Sequence, residues 1–168
     1  MTINWLAILV SALVPMLLGF IWYHPKVMGK VWMDACGFKE EDMKSTSNMG
    51  LIFGISFLMS LLLAFAMNTI SYHQTFVANS LMNQPGFGDP NSEVGKYLAD
   101  YMAKYGTNFR TFSHGAAHGI LIAGIMIVVP VLTTNALFEK KGFKYIAVNA
   151  GYWLITLGLM GGIVCAWI

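Results

Sequence analysis

The sequence predicts an all-α integral membrane protein, a four-helix bundle with a short interfacial helix in its first loop and an amphipathic helix in its long second loop. Three observations carry this prediction. Of the 168 residues, 57% are hydrophobic and only 11% are charged, against about 25% charged in soluble domains. No Asp, Glu, Lys or Arg occurs in 1–25, 45–88, 111–138 or 145–168. Each of these runs can supply the roughly 20 apolar residues that cross a hydrocarbon core of about 30 Å. Backbone amides must pair within the segment in lipid, so such runs are expected as helices.

The spans are read at Asn4–Tyr23, Met49–Tyr72, Phe112–Phe138 and Phe143–Trp167, within a single transmembrane domain over residues 1–168 whose second loop covers 73–111. The third run is long enough to tilt or to begin outside the hydrocarbon. The first span has no positive segment before it and its lysines follow it, so it is expected to be retained rather than cleaved as a signal peptide.

Lysine and arginine set the expected orientation. Lys26, Lys30, Lys39 and Lys44 lie in the first loop and Lys140, Lys141 and Lys144 in or beside the third, whereas the longer second loop has Lys96, Lys104 and Arg110. Loops one and three share a side of a four-span chain, and the positive-inside rule makes that side cytoplasmic. Both termini and the second loop are then outside. Trp5, Tyr72 and Trp167 fall at the outer interface, and Trp22, Tyr23, Trp32 and Tyr145 at the inner one. Cys36 and Cys165 would lie a membrane apart, too far for an intrachain disulfide.

The loops carry patterns of their own. His24-Pro25 should stop the first helix, because the residue before proline avoids the α region. Val27, Met28, Val31, Trp32 and Ala35 then recur at helical spacing, as in a short helix in the cytoplasmic interface that Gly37 would end. The second loop begins with a turn-rich stretch over 83–90. Val94, Tyr97, Leu98, Tyr101, Met102 and Tyr105 follow on one helical stripe. Asp89 or Asn91 is the expected cap and Gly106 the expected end.

Small residues recur four apart in every span: Ala7, Ser11, Pro15 and Gly19; Gly50 and Gly54; Gly115 and Gly119; Gly158 and Gly162. They let helix backbones approach closely, within one chain or between chains. Pro15 and Pro130 each stand in Val-Pro-x-Leu ahead of a lysine-bearing loop, a hint of a duplicated hairpin.

One constellation can carry chemistry. His114 and His118 are four apart and neighbours on a helix face, and His73 closes the second span on the same side. Imidazoles so spaced suit a transition metal such as Zn, Cu or Fe. The alternatives are interhelical hydrogen bonds to Asn68, Ser71 or backbone carbonyls, and a substrate or proton site. The segment lacks the glutamate of His-Glu-x-x-His, which argues against a zinc protease. Asn68, Asn135 and Asn149 are read as polar packing residues of the spans. No nucleophile elbow, P-loop or dinucleotide fingerprint occurs, and a single arginine leaves no basic face for nucleic acid.

The segments Asn4–Val10, Gly19–Pro25 and Gly29–Met33, with Thr134–Glu139, Asn149–Trp153 and Leu159–Gly162, resemble the DUF1761 family. The second loop and the His-Gly-Ala-Ala-His-Gly segment resemble Bacteroidota-type members. The resemblance implies an uncharacterised bacterial inner-membrane protein of four spans, and assigns no catalytic, cofactor or substrate residue. The sequence thus leaves three function classes. First comes a non-catalytic accessory or scaffold protein whose partners are the bilayer, other membrane proteins or a second copy. Second is a small transporter or channel. Third is a membrane enzyme with a metal or cofactor at His73, His114 and His118. The catalytic residues stay unknown, and the balance leans away from an enzyme.

Overall fold

The computed structural model describes residues 3–39, 41 and 48–167, and Lys44 lies outside them. The described residues form helices and no strand. We number them α1 (Trp5–Trp22), α2 (Lys30–Cys36), α3 (Met49–Ser71), α4 (His73–Ser80), α5 (Glu93–Tyr105), α6 (Phe112–Phe138) and α7 (Phe143–Ala166). Helices α1, α3, α6 and α7 are long and apolar enough to cross a membrane. The chain is therefore a multi-pass membrane protein.

The axis of the bundle is α7. In its most apolar stretch 56% of residues are buried inside the protein, against 28% in α1, 17% in α6 and 11% in α3. The three outer helices give lipid most of their surface and give α7 one stripe each. The shared core joins Ile8 and Ala12 of α1, Ala64 and Met67 of α3, Ala123 of α6, and Leu157, Met160 and Val164 of α7.

Hydrocarbon does not drive apolar helices together, so close approach and polar bonds between helices matter more than in water. Four such bonds join α1 and its C-cap to α7. Ser11 Oγ donates to the Met160 carbonyl (3.3 Å), Tyr152 Oη to the Pro15 carbonyl (2.7 Å), Trp22 Nε1 to the Val148 carbonyl (3.1 Å) and Tyr23 Oη to Asn149 Oδ1 (2.9 Å). Ala7, Ser11 and Pro15 of the small-residue stripe are buried, and Gly19 faces the Tyr152 ring.

Helix α6 crosses α7 at glycines. Gly115 backs onto Gly161, Gly119 onto the Leu157 carbonyl, and Gly162 receives the Phe112 ring. Gly50 and Gly54 of α3 behave differently: both are exposed, and a Cβ on Gly54 would meet nothing within 4 Å. The α3 pair makes no close helix contact among the described residues.

The middle of α6, Gly119–Val128, is wound as a wide π-helix before α-helical turns resume at Val129. Pro130 supplies a physical cause, since it has no N–H and its ring clashes with the carbonyl four residues back, at Met126. A shorter wide turn, Pro25–Gly29, precedes α2 and also begins at a proline. There His24 Nδ1 accepts from the Lys26 N–H, 3.2 Å away. Gly37, at φ +78°, ends α2 in the left-handed cap glycine favours.

The second loop holds more helix than expected. The second span stops at Ser71; Tyr72 is extended (φ −107°, ψ 93°) and begins a new helix, α4. His73 thus opens α4 rather than closing α3. The α5 cap also differs from expectation. Ser92 Oγ accepts from the Gly95 N–H (2.9 Å), while Asp89 Oδ1 accepts from Asn91 N (2.9 Å) in the preceding turn. Asp89 and Asn91 are committed to that turn, which leaves Ser92 next to the first helical residue.

At the opposite end, Lys141 Nζ donates to the Cys36 carbonyl (3.0 Å), tying the third loop to α2. Among the described lysines, those of the first loop and of the α6–α7 connection gather at this lysine end. Ile3, Trp167, α4, His73, His114 and His118 gather at the other.

Candidate metal centre at the histidine end

The site is built by a corner and a helix start. Thr111 Oγ1 accepts from His114 N (3.2 Å) and so caps α6. That fixes the first turns, in which His114 and His118 share a face, and their ring centroids are 4.3 Å apart at nearly right angles (89°). The Tyr72 corner swings His73 over them, with ring centroids 4.9 Å from both. His73 Nε2 and His114 Nε2 are 2.8 Å apart. One ring nitrogen from each of the three lies within 4.8 Å of the others.

Neighbouring residues hold this arrangement. Phe109 lies against His73 and His114, at 5.8 and 5.1 Å between centroids. It is one of two described non-glycine residues in the left-handed region, at φ 62°. That conformation costs about 1–3 kcal/mol and persists only where surrounding contacts over-determine it. Here the Phe109 carbonyl accepts from Thr111 N (2.9 Å) and from Cys165 Sγ (3.3 Å). Gln74, buried next to His73, donates through Nε2 to the Tyr105 (2.7 Å) and Asn108 (2.9 Å) carbonyls. The corner and the segment carrying Phe109 are thereby fastened together.

Two polar atoms are left over. His118 Nδ1 and Gln74 Oε1 are buried with no hydrogen-bond partner among the described residues. Such an atom costs about 1–3 kcal/mol. The cluster is closed on its α6 side and open above, since His73 is exposed while His114 and His118 are half-buried.

The asparagines separate by position. Asn149 bridges α7 to Tyr23 and donates to the Tyr145 carbonyl at 2.8 Å. Asn135 is exposed on α6. Asn68 lines a cavity on the far side of the Tyr72 corner. Arg110, read in the sequence only as one loop cation, holds a special position. Its Nε donates to the Cys165 carbonyl (2.6 Å), its Nη2 to the Trp167 carbonyl (2.8 Å), and its guanidinium lies 4.3 Å from the Tyr72 ring centroid. It closes the C-terminal end of α7, where free carbonyls and the helix dipole favour a cation. The signal available in the sequence was its isolation as the single arginine, in the two residues before α6.

The model of the family described as "Protein of unknown function (DUF1761)" matches residues 6–165. No curated protein and no solved structure is detectably similar to the chain.

Proposed function

Because the chain belongs to the DUF1761 family of proteins of unknown function, no activity comes with its fold, and we propose from its own residues that it holds a divalent transition-metal ion between His73, His114 and His118. The observation that carries this reading is the convergence of one nitrogen from each ring within 4.8 Å. Tetrahedral ligands about 2.0–2.1 Å from zinc stand about 3.3 Å from one another, so no pair of rings needs to close by more than about 1.5 Å, and the His73–His114 pair needs to open by about 0.5 Å. Three imidazoles suit zinc, copper, nickel or iron, and leave the fourth position for water or a substrate. The exposed flank of His73 is the side from which that position is reached.

The reading extends to placement. We assign the histidine end and both termini to the outside of a bacterial inner membrane, and the lysine end to the cytoplasm. Support comes from the seven lysines of the first and third connections, against two lysines and Arg110 in the longer second loop. Labelling of Cys36 by an impermeant thiol reagent on intact cells would overturn this orientation.

Purified protein, stripped with a chelator and titrated with Zn²⁺, Ni²⁺ or Cu²⁺, is expected to take up one ion per chain by elemental analysis. Replacing both His114 and His118 by Ala should abolish uptake. His73→Ala should weaken it by roughly tenfold or more, since even residues behind the ligands contribute about that much. Folded protein that takes up no stoichiometric metal, or takes it up equally well in the double variant, would sink the proposal.

A second reading keeps support from α3. Its exposed Gly50 and Gly54 suit contact with a helix of another subunit, as an accessory or scaffold protein would use. Crosslinking through cysteines placed at these two positions tests it; monomeric behaviour with no crosslinked partner in native membranes would argue against it.

A further inference from the structure

On the other side of the Tyr72 corner from the histidines lies a cavity of about 600 Å³, formed where α1 begins and where α3 and α7 end. Its walls divide by chemistry. Ile3, Phe65, Met102 and Trp167 are apolar, whereas Asn68 and Asn79 are amides. Arg110 also lines it, and among the described lining residues there is no carboxylate. The guanidinium spends Nε and Nη2 on the two α7 carbonyls and one face on Tyr72. Arginine has five N–H donors, so the Nη1 side of the fork remains for an acceptor. Neither carbonyl neutralises the charge.

A cation with no counter-charge among the described residues, amides around it and an apolar wall together describe a receptor for an anionic head on an apolar tail. The location agrees, because a cavity at the ends of three spans, edged by Tyr72 and Trp167, sits at the depth of the headgroups. A guanidinium pairs with phosphate oxygens in fixed, directional geometry. We propose that this cavity binds the phosphate of an acidic phospholipid through Arg110, with Asn68 and Asn79 beside the headgroup and the acyl chains running down Phe65. This site is separate from the imidazole cluster, and its ligand does not depend on metal there.

Native mass spectrometry of the full chain in detergent tests the assignment, with phosphatidylglycerol and phosphatidylcholine of identical acyl chains as probes. One phosphatidylglycerol should be retained about tenfold more tightly than phosphatidylcholine, which offers the same phosphate but brings a second cation, its trimethylammonium, next to Arg110. Arg110→Gln should remove the preference. Because Arg110 also closes α7 and that variant can fail to fold, Ala78→Trp serves as a second probe. It fills the cavity from α4 and leaves Arg110 in place, and it too should lose the preference while keeping the wild-type melting temperature. Equal retention of the two lipids, or an unchanged preference in folded Ala78→Trp, would overturn the proposal. Inorganic phosphate supplies the remaining arm: failure to displace the lipid supports a site for an amphiphile, whereas stoichiometric displacement would assign the site to free phosphate and overturn the lipid.

Discussion

Gly115 and Gly161 stand back to back across the α6–α7 contact, so that a Cβ added to either would overlap the carbonyl of the other. Nothing flexible lies between them, and the histidine pair is mounted on the same turns of α6. Gly115→Ala or Gly161→Ala is therefore expected to destabilise the bundle by at least the roughly 1–3 kcal/mol typical of overpacking. Gly54→Ala, with open space at its Cβ, should change stability by less than about 0.5 kcal/mol in the monomer. Thermal melts of the three variants in one detergent check this, and a Gly115→Ala protein as stable as Gly54→Ala would refute the close crossing.

Asn149 and Asn135 make a matched pair for testing polar packing. Asn149→Leu removes the acceptor of Tyr23 Oη and should cost about 0.6 kcal/mol, the average for hydrogen bonds between helices in a membrane, and no more than about 1.7 kcal/mol. Asn135→Leu, on an exposed face of α6, should be neutral or slightly stabilising. The melting temperature of each variant against wild type reads the difference. A Tyr23→Phe, Asn149→Leu double variant no less stable than Asn149→Leu would confirm that the two side chains act together.

The loop fastening at Gln74 predicts a local effect. Gln74→Leu removes two donated bonds, to the Tyr105 and Asn108 carbonyls, while also removing the unpartnered Oε1. The net change in global stability should be small. Limited proteolysis should instead quicken between Tyr105 and Arg110, because that backbone is released from the corner. Unchanged cleavage there would show that the loop is held by other contacts.

Cys36 gives a prediction in pH. Burial pushes its thiol up from the ordinary cysteine range, and the Lys141 ammonium partly offsets this. The thiolate is the reactive form, so alkylation at neutral pH should be slower than for a free thiol and should rise with pH into the alkaline range. Lys141→Gln removes the charge that favours the thiolate. Its pH–rate profile should therefore shift further to the alkaline side, with a slower rate at any fixed pH below the plateau. Maleimide labelling in detergent measures both profiles, and coincident curves would dismiss the coupling.

Much of the architecture is legible in the residues, and the reasons are physical. Four charge-free runs leave a chain no alternative to helices in lipid, so the spans declare themselves. The α5 stripe from Val94 to Tyr105 is equally plain, because it repeats at three and four. The corner at Tyr72 is not, since Ser71-Tyr72-His73 contains neither glycine nor proline, and the bonds that tie α4 to the loop run from Gln74 to backbone carbonyls some thirty residues on. The same blindness covers the site. His114 and His118 are related by helix geometry alone and can be paired from their spacing. How closely His73 meets them depends on the corner. Arg110 finds backbone carbonyls more than fifty residues away, and carbonyls carry no residue identity that a sequence could disclose.

The wide turns in α6 have a mechanical consequence. Gly119 and Gly124 both abut α7, although residues five apart on an ordinary α-helix point about 140° away from each other. The π-helical stretch works as a phase shifter in a shaft: it resets the angular setting of one half of α6 against the other. The angle at which His114 and His118 are presented to His73 is thus geared to the winding of residues 119–128, which begins directly after His118. Inserting or deleting one residue in that stretch would turn the imidazoles against the lysine end of the molecule without altering a single ligand.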